Sequence, residues 1–143
     1  MKNLFVLACL LASISSYSQT EGEIFKVVEV MPRFPSSCED DVDLTDQQKK
    51  QCADKEMLQF VYSNLKYPAE AKRQGISGIV VIAFTLDKEG FILDPEVKRS
   101  ANPMLDEAAL EVIEKMQAEM QWIPGSQQGK PVAVKFNLPI RFY

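Results

Sequence analysis

The sequence of 143 residues contains no histidine. Histidine is the commonest general base near neutral pH and the commonest metal ligand in proteins. No glycine-rich phosphate loop follows a predicted strand, and no serine stands in a nucleophile-elbow sequence. Asp87 and Glu89 fall on a predicted turn, and the helix dipole adequately explains Asp106 at the start of a predicted helix. We therefore expect no enzyme activity and no cofactor.

The sequence also lacks a long hydrophobic run. The apolar run at residues 4–11 follows Lys2 and precedes Ser16-Tyr17-Ser18. This run is shorter than the roughly twenty apolar residues that span a bilayer. The pattern predicts that residues 1–18 are a secretory signal peptide, cleaved before Gln19. A retained membrane anchor is the alternative, and Cys9 is better explained as part of the apolar run than as a lipidation site.

The rest of the chain carries an excess of negative charge. Beyond residue 18 there are fifteen Lys and Arg against twenty Asp and Glu, a net charge of −5. A negatively charged domain is repelled by nucleic acid and by anionic membrane surfaces. We expect a soluble, exported protein that binds neither.

Only two cysteines remain after the predicted cleavage, Cys38 and Cys52. An even number of cysteines in an exported domain indicates a disulfide. A metal site is the alternative, but the spacing does not suit paired thiolate ligands and histidine is absent. Residues 39–43 form an acidic cluster, which lacks the spacing and the central glycine of a calcium loop. We expect this cluster to be a solvated loop without metal.

Residues 19–44 are predicted to form an extended arm that ends in this acidic loop. Apolar, mostly β-branched residues at 24–30 precede Pro32 and Pro35, which exclude a helix. The arm's apolar side chains need cover. We expect them to pack on the main domain, unless some of them await a partner.

The main domain, residues 45–143, begins with helical patterns. Apolar residues recur at helical spacing over 46–65, in one or two pieces, and Thr45 with Gln48 resembles a capping box. A second, short helix is predicted at 69–74, with Gly75 at its end.

Two strands and a helix are predicted next. Strand 79–86 is apolar on both faces and should be central in the sheet. Residues 87–90 form a turn that leads to strand 91–99. Pro95 within that strand indicates a position at a sheet edge. Asn102 and Pro103 then begin a helix whose apolar stripe runs to Met120. A methionine-containing stripe can form a binding groove, but here we expect core packing.

The last strand is the most regular element. From residue 132 every even position is apolar, which is typical of a strand with one buried face. Pro131 and Pro139 share the odd positions with Ala133, Lys135 and Asn137. Since proline has no N–H, this side should face away from the native ladder and offer backbone groups to a guest strand. Alternatively, the prolines and Lys135 merely protect the edge against pairing.

These elements predict an α+β domain. The three long strands form an antiparallel sheet in the spatial order second, first, third, and the helices cover one face.

Several short motifs occur in an informative order. The positions concerned are Tyr67-Pro68, Ala71, Gly75, Gly78, Asp87, Gly90, Ser100, Leu105-Asp106, Ala109, Trp122, Pro124-Gly125, Gly129, Pro131-Val132, Leu138-Pro139-Ile140 and Phe142. By these motifs, residues 67–143 resemble the C-terminal domain of the TonB family. The preceding stretch at 28–35, with the two cysteines, resembles TonB-related proteins of Bacteroidetes-type bacteria.

The resemblance implies a function in the periplasm. TonB proteins are energy transducers whose C-terminal domain binds a peptide of outer-membrane transporters by adding it to the last strand. The resemblance places partner binding, together with residues just before Tyr67, on Val132, Ala133, Val134, Lys135, Phe136, Asn137 and Leu138.

The sequence departs from a full transducer because neither a lasting anchor nor a proline-rich spacer is visible. We therefore expect a periplasmic module that binds an outer-membrane transporter or another envelope protein, and energy transduction stays open. The alternative is a structural domain that forms a homodimer through its edge strand and has no transport role.

Overall fold

The computed structural model describes residues 22–143, so the predicted signal peptide at 1–18 lies outside the described residues. Five strands and three helices follow one another along this part of the chain. They are β1 (Ile24–Phe25), α1 (Asp46–Asn64), α2 (Ala69–Arg73), β2 (Gly78–Leu86), β3 (Ile92–Arg99), α3 (Pro103–Glu119), β4 (Gly125–Gln127) and β5 (Lys130–Phe142). No helix within the described residues is both long and apolar enough to cross a membrane.

Both long helices begin where the sequence predicted. The Thr45 hydroxyl accepts from the Gln48 N–H, and the Gln48 side chain accepts from the Thr45 N–H at 2.9 Å, which completes the capping box. Asn102 caps α3 by accepting from the Met104 N–H at 2.9 Å. Helix α1 is one continuous helix rather than two pieces.

The three long strands lie in the predicted order. Strand β2 is central, antiparallel to β3 on one side and to β5 on the other. The even-numbered residues of β2 are buried in one core with α1 and α3, so the helices cover a single face of the sheet. Strand β3, which contains Pro95, is an edge strand. These observations confirm the α+β class.

The sheet nevertheless differs from the predicted three-stranded antiparallel one. It is mixed, because β1 pairs in parallel with β5, and β4 adds a short antiparallel pairing to the start of β5. Both additions have the same cause. Short extended segments beside a long strand satisfy backbone groups that would otherwise lack partners.

The arm is fastened to the domain over most of its length. Val30 exchanges two backbone hydrogen bonds with Ser126, at 3.1 and 2.8 Å, and Arg33 does the same with Ile123, at 3.0 and 2.9 Å. The Phe34 ring contacts Trp122 edge to face, with ring centroids 5.6 Å apart, and is part of the core.

A disulfide joins the end of the arm to α1. The Cα atoms of Cys38 and Cys52 are 6.2 Å apart, with a sequence separation of 14. Next to it, Glu56 accepts from the N–H of Ser37 at 3.1 Å and from the Ser37 hydroxyl. The disulfide and Glu56 therefore hold the same short loop against the helix.

The disulfide should contribute measurably to stability. The double variant Cys38→Ser/Cys52→Ser should lose about 3 kcal/mol of unfolding free energy, because the open loop enlarges the unfolded ensemble. Urea denaturation checks this. The wild type reduced with dithiothreitol is the control, and an unchanged midpoint in both would contradict a stabilising disulfide.

The turn between β2 and β3 depends on Gly90. This residue has φ of +91°, and a Cβ placed there would lie 1.8 Å from the Trp122 carbonyl oxygen. The Trp122 N–H also donates to the Gly90 carbonyl at 2.8 Å. A glycine is required because the turn and the segment before β4 touch backbone to backbone.

Gly90→Ala should therefore destabilise the fold by about 3 kcal/mol, through left-handed strain and the clash together. Gly129→Ala is the matched control. Its φ is +73°, but nothing lies within 4 Å of an added Cβ, so only the strain of about 1 kcal/mol remains. Urea denaturation measures the unfolding free energy of both variants. If Gly90→Ala and Gly129→Ala lose the same amount, the clash with Trp122 does not contribute and the prediction is wrong.

Candidate functional site: the outer edge of strand β5

The prolines of β5 establish which way its backbone groups face. Pro139 is paired with Val81 of β2, and Pro131 with Ser126 of β4. Proline has no N–H, so these are non-hydrogen-bonded pairs, and the even residues of β5 make the ladder bonds. The odd residues face the opposite side, which we call the outer edge. The Arg141 N–H supports this assignment because it donates to the Tyr62 hydroxyl instead of to β2.

The even side of β5 is anchored in the core. Val134, Leu138, Ile140 and Phe142 are buried. Phe136 stacks on Phe84 with centroids 5.4 Å apart and meets Trp122 edge to face at 5.2 Å. This packing fixes the position of the strand and of its outer edge.

The outer edge is not free along its whole length, which corrects the sequence-based expectation. Ile24 and Phe25 of β1 pair with Ala133 and Val134. The expectation was wrong here because an extended arm with β-branched residues can itself add to an edge strand, and sequence periodicity does not reveal which edge the arm reaches.

Beyond this pairing the edge is open. Within the described residues, no strand pairs with the outer edge at residues 135–141, which we call the open window. Of the seven predicted docking residues, four lie in the window: Lys135, Phe136, Asn137 and Leu138. The other three, Val132, Ala133 and Val134, lie beside β4 or β1.

Helix α1 approaches the far end of the window. The Tyr62 hydroxyl accepts from the Arg141 N–H at 3.2 Å, and the Tyr62 side chain is half exposed. Leu58 lies one turn earlier on the same helix face and is exposed to a similar degree. The sequence-based prediction placed residues just before Tyr67 at the site but did not identify Leu58 and Tyr62. The sequence feature that could have identified them is their position next to the buried apolar stripe of α1 rather than within it.

The charged side chains of β5 are all positive. They are Lys130, Lys135 and Arg141, in a chain whose net charge is −4. A hydrogen bond that the Arg141 guanidinium donates to the Tyr143 hydroxyl at 3.2 Å raises the pKa of Arg141 above its usual value. Arg141 therefore carries its positive charge beside the end of the window, whereas the Lys135 ammonium is paired with Glu96 on β3.

Lys135 also spans the open face of the sheet. Its ammonium lies 3.5 Å from the Glu96 carboxylate on β3, across the central strand. The side chain is therefore directed over β2, and its backbone is left unobstructed at the window.

The acidic residues that the sequence analysis considered for catalysis or metal binding make local hydrogen bonds and ion pairs. Asp87 accepts from the Glu89 and Phe91 N–H groups at 2.9 Å within the turn, and Asp106 accepts from the Ala101 N–H at 3.0 Å. In the acidic loop, the Glu39 carboxylate pairs with Arg33, and the Glu39 carbonyl accepts from the Lys49 ammonium at 2.7 Å.

A family model described as "Gram-negative bacterial TonB protein C-terminal" matches residues 63–143, more than half of the chain. The chain belongs to the TonB C-terminal family. All of β5 lies within the matched segment, whereas β1, the disulfide, Leu58 and Tyr62 precede it.

One relative is itself a TonB protein. The chain is 32% identical over 90 residues to Protein TonB of Vibrio cholerae, which covers 62% of this chain and 35% of that protein. The chain therefore spans about a third of the length of this curated relative.

Two solution structures of the Helicobacter pylori TonB C-terminal domain are also similar. For residues 179–285 the identity is 26% and the TM-score 0.48, with 60% of this chain and 75% of that one covered. For residues 194–285 the values are 24% and 0.47, with 62% and 90% covered.

Tyr62 should protect the end of the window in this TonB-family domain. Tyr62→Phe removes the acceptor of the Arg141 N–H, so the Arg141 amide should exchange with solvent about threefold faster, as expected for one lost exposed hydrogen bond. Amide exchange followed by NMR measures this. Tyr143→Phe is the control, since that hydroxyl contacts only the Arg141 side chain, and equal rates in the two variants would contradict the assignment.

Proposed function

We propose that this protein is a periplasmic TonB-like module that docks an extended peptide of an outer-membrane transporter, or of another envelope protein, along β5. The guest adds as a strand to residues 132–138 and makes its first backbone contacts in the open window. The protein acts by binding and not by catalysis. Family membership supports placing this docking in energy-coupled transport across the outer membrane.

One observation carries the proposal. The N–H groups of the odd residues face away from the ladder, and Pro139 interrupts them at the far end, so Asn137 offers a backbone donor on an edge without a partner strand. Strand addition uses such groups for affinity and alternate side chains for specificity. The rigid core side of β5 lowers the entropic cost of docking, because only the guest has to become ordered.

Charge supports the chemistry of the guest. The window contains Lys135 and Arg141 and no acidic residue. Lys135 is paired with Glu96, so the charge available to a guest is that of Arg141: an extended segment with Asp or Glu near Arg141 is attracted, whereas a basic segment is repelled. Exposed Leu58 and Tyr62 supply an apolar wall for guest side chains that face α1.

Asn137→Pro tests the docking edge directly. The substitution deletes an outward N–H and leaves the β2 ladder intact, because odd residues do not bond to β2. Affinity for a bound peptide should fall about tenfold, the effect of roughly 1.4 kcal/mol for a lost backbone bond. Isothermal titration with overlapping synthetic peptides from the periplasmic N-terminal segments of the source bacterium's transporters measures this.

Asn137→Ala is the matched control, because it changes the side chain and keeps the amide. It should retain most of the affinity, and the Asn137 amide of the wild type should shift in NMR spectra on saturation with peptide. An unmoved amide, or equal affinities of the two variants, would contradict docking at this edge.

Sedimentation of the same variants distinguishes the homodimer. A concentration-dependent dimer that Asn137→Pro dissociates would show that the edge pairs with a second copy. A monomer at all concentrations removes that alternative.

A further inference from the structure

The arm consists of two parts that are held very differently. From Val28 onward it is fastened by buried side chains, by backbone pairing and by the disulfide. Before Val28 the pairing involves only the two residues of β1. Ile24 is 56% exposed and Val27 is 80% exposed. Among the apolar residues at 22–27 only Phe25 is partly buried, so detaching this segment uncovers one large apolar side chain.

A solvent-open groove borders β1. Its volume is about 500 Å³, and its lining includes Phe25, Asp87, Pro131 and Ala133. On this side β1 therefore faces water rather than a packed layer of the protein. The pairing of β1 with β5 is thus supported mainly by a few backbone hydrogen bonds.

The position of β1 matters because it is in line with the open window. It covers Ala133 and Val134, and the window begins at Lys135 on the same edge. A guest strand that extends over residues 132–138 needs the place that β1 occupies. Both cannot pair with the outer edge at Ala133 at the same time.

We propose that residues 22–27 are a displaceable internal strand that competes with the guest, so docking proceeds by strand exchange and releases the start of the arm. This inference rests on the proposed docking function. The fastened part of the arm stays in place during the exchange, so the domain is not unfolded. Only the chain before Val28 is released. When a guest docks on β5, this segment detaches from the domain and can extend away from it.

Competition lowers the guest's apparent affinity by the fraction of molecules whose edge is free. If β1 is paired in about nine molecules of ten, removing it raises the affinity about tenfold. A strand of only two paired residues is marginally stable in water. Its pairing with β5 is therefore expected to open in a measurable fraction of molecules rather than to block the edge permanently.

A locked variant and a released variant test the competition. Ile24→Cys with Ala133→Cys places cysteines at paired positions, where the Cα spacing of neighbouring strands suits a disulfide. Locking β1 should weaken binding of the synthetic transporter peptides at least tenfold. Reduction should restore it, with reduced wild type as the reference because the native disulfide also opens.

The released variant Ile24→Gly/Phe25→Gly should bind the same peptides about tenfold more tightly than wild type. Val27→Gly is the matched control, since it adds a glycine to the same exposed segment outside β1, and it should bind as wild type does. In NMR spectra, peptide should shift the Ile24 and Phe25 amides of the wild type towards the values typical of an unpaired, unstructured chain.

The outcomes separate the two proposals. Equal affinity in locked, wild-type and released proteins would overturn strand exchange and leave docking at residues 135–141 standing. Failure of every variant to bind any transporter peptide would overturn the docking function and the exchange with it. Weaker binding when locked and tighter binding when released supports both.

Discussion

The structure depends on the pairing of β5 with β2. Register runs without interruption from Gly78 opposite Phe142 to Leu86 opposite Val134. A one-residue slip would move Leu138, Ile140 and Phe142 from the core to solvent and would ask prolines to donate ladder bonds, so both sides of the strand specify the same register. The resulting rigid strand has one side committed to the core and to the ladder. Only its outer edge is left to other strands.

The arm makes use of that edge. Its later part is bound through Val30, Arg33 and Phe34, and the disulfide ties its end to α1. These fastenings hold Ile24 and Phe25 near Ala133, which lowers the entropic cost of their pairing with β5. Because the arm precedes the segment that matches the TonB C-terminal family, the internal strand is an addition to the matched domain. Under the proposed function, this chain contains both the docking edge and the segment that competes for it.

Local patterns made much of this structure predictable. The caps at Thr45 and Asn102, the turn at Gly90 and the edge assignment from Pro95 are each decided by a few neighbouring residues. The outward parity of β5 followed from its two prolines. The prediction failed where distant segments meet. The pattern at 24–25 is that of any short β-rich stretch, and the exposure of Leu58 and Tyr62 next to the window depends on how α1 lies against the sheet.

The sequence by itself determined the class of fold, the order of the three long strands, the two faces of β5 and the identity of its outward residues. Those properties follow from side-chain periodicity and from the missing N–H of proline, which act within a few residues. Only the tertiary structure decided how much of the outer edge is free. That depends on a parallel pairing between residues more than a hundred positions apart. The backbone groups that make such a pairing are common to every non-proline residue, so the local sequence pattern does not reveal which edge a segment reaches.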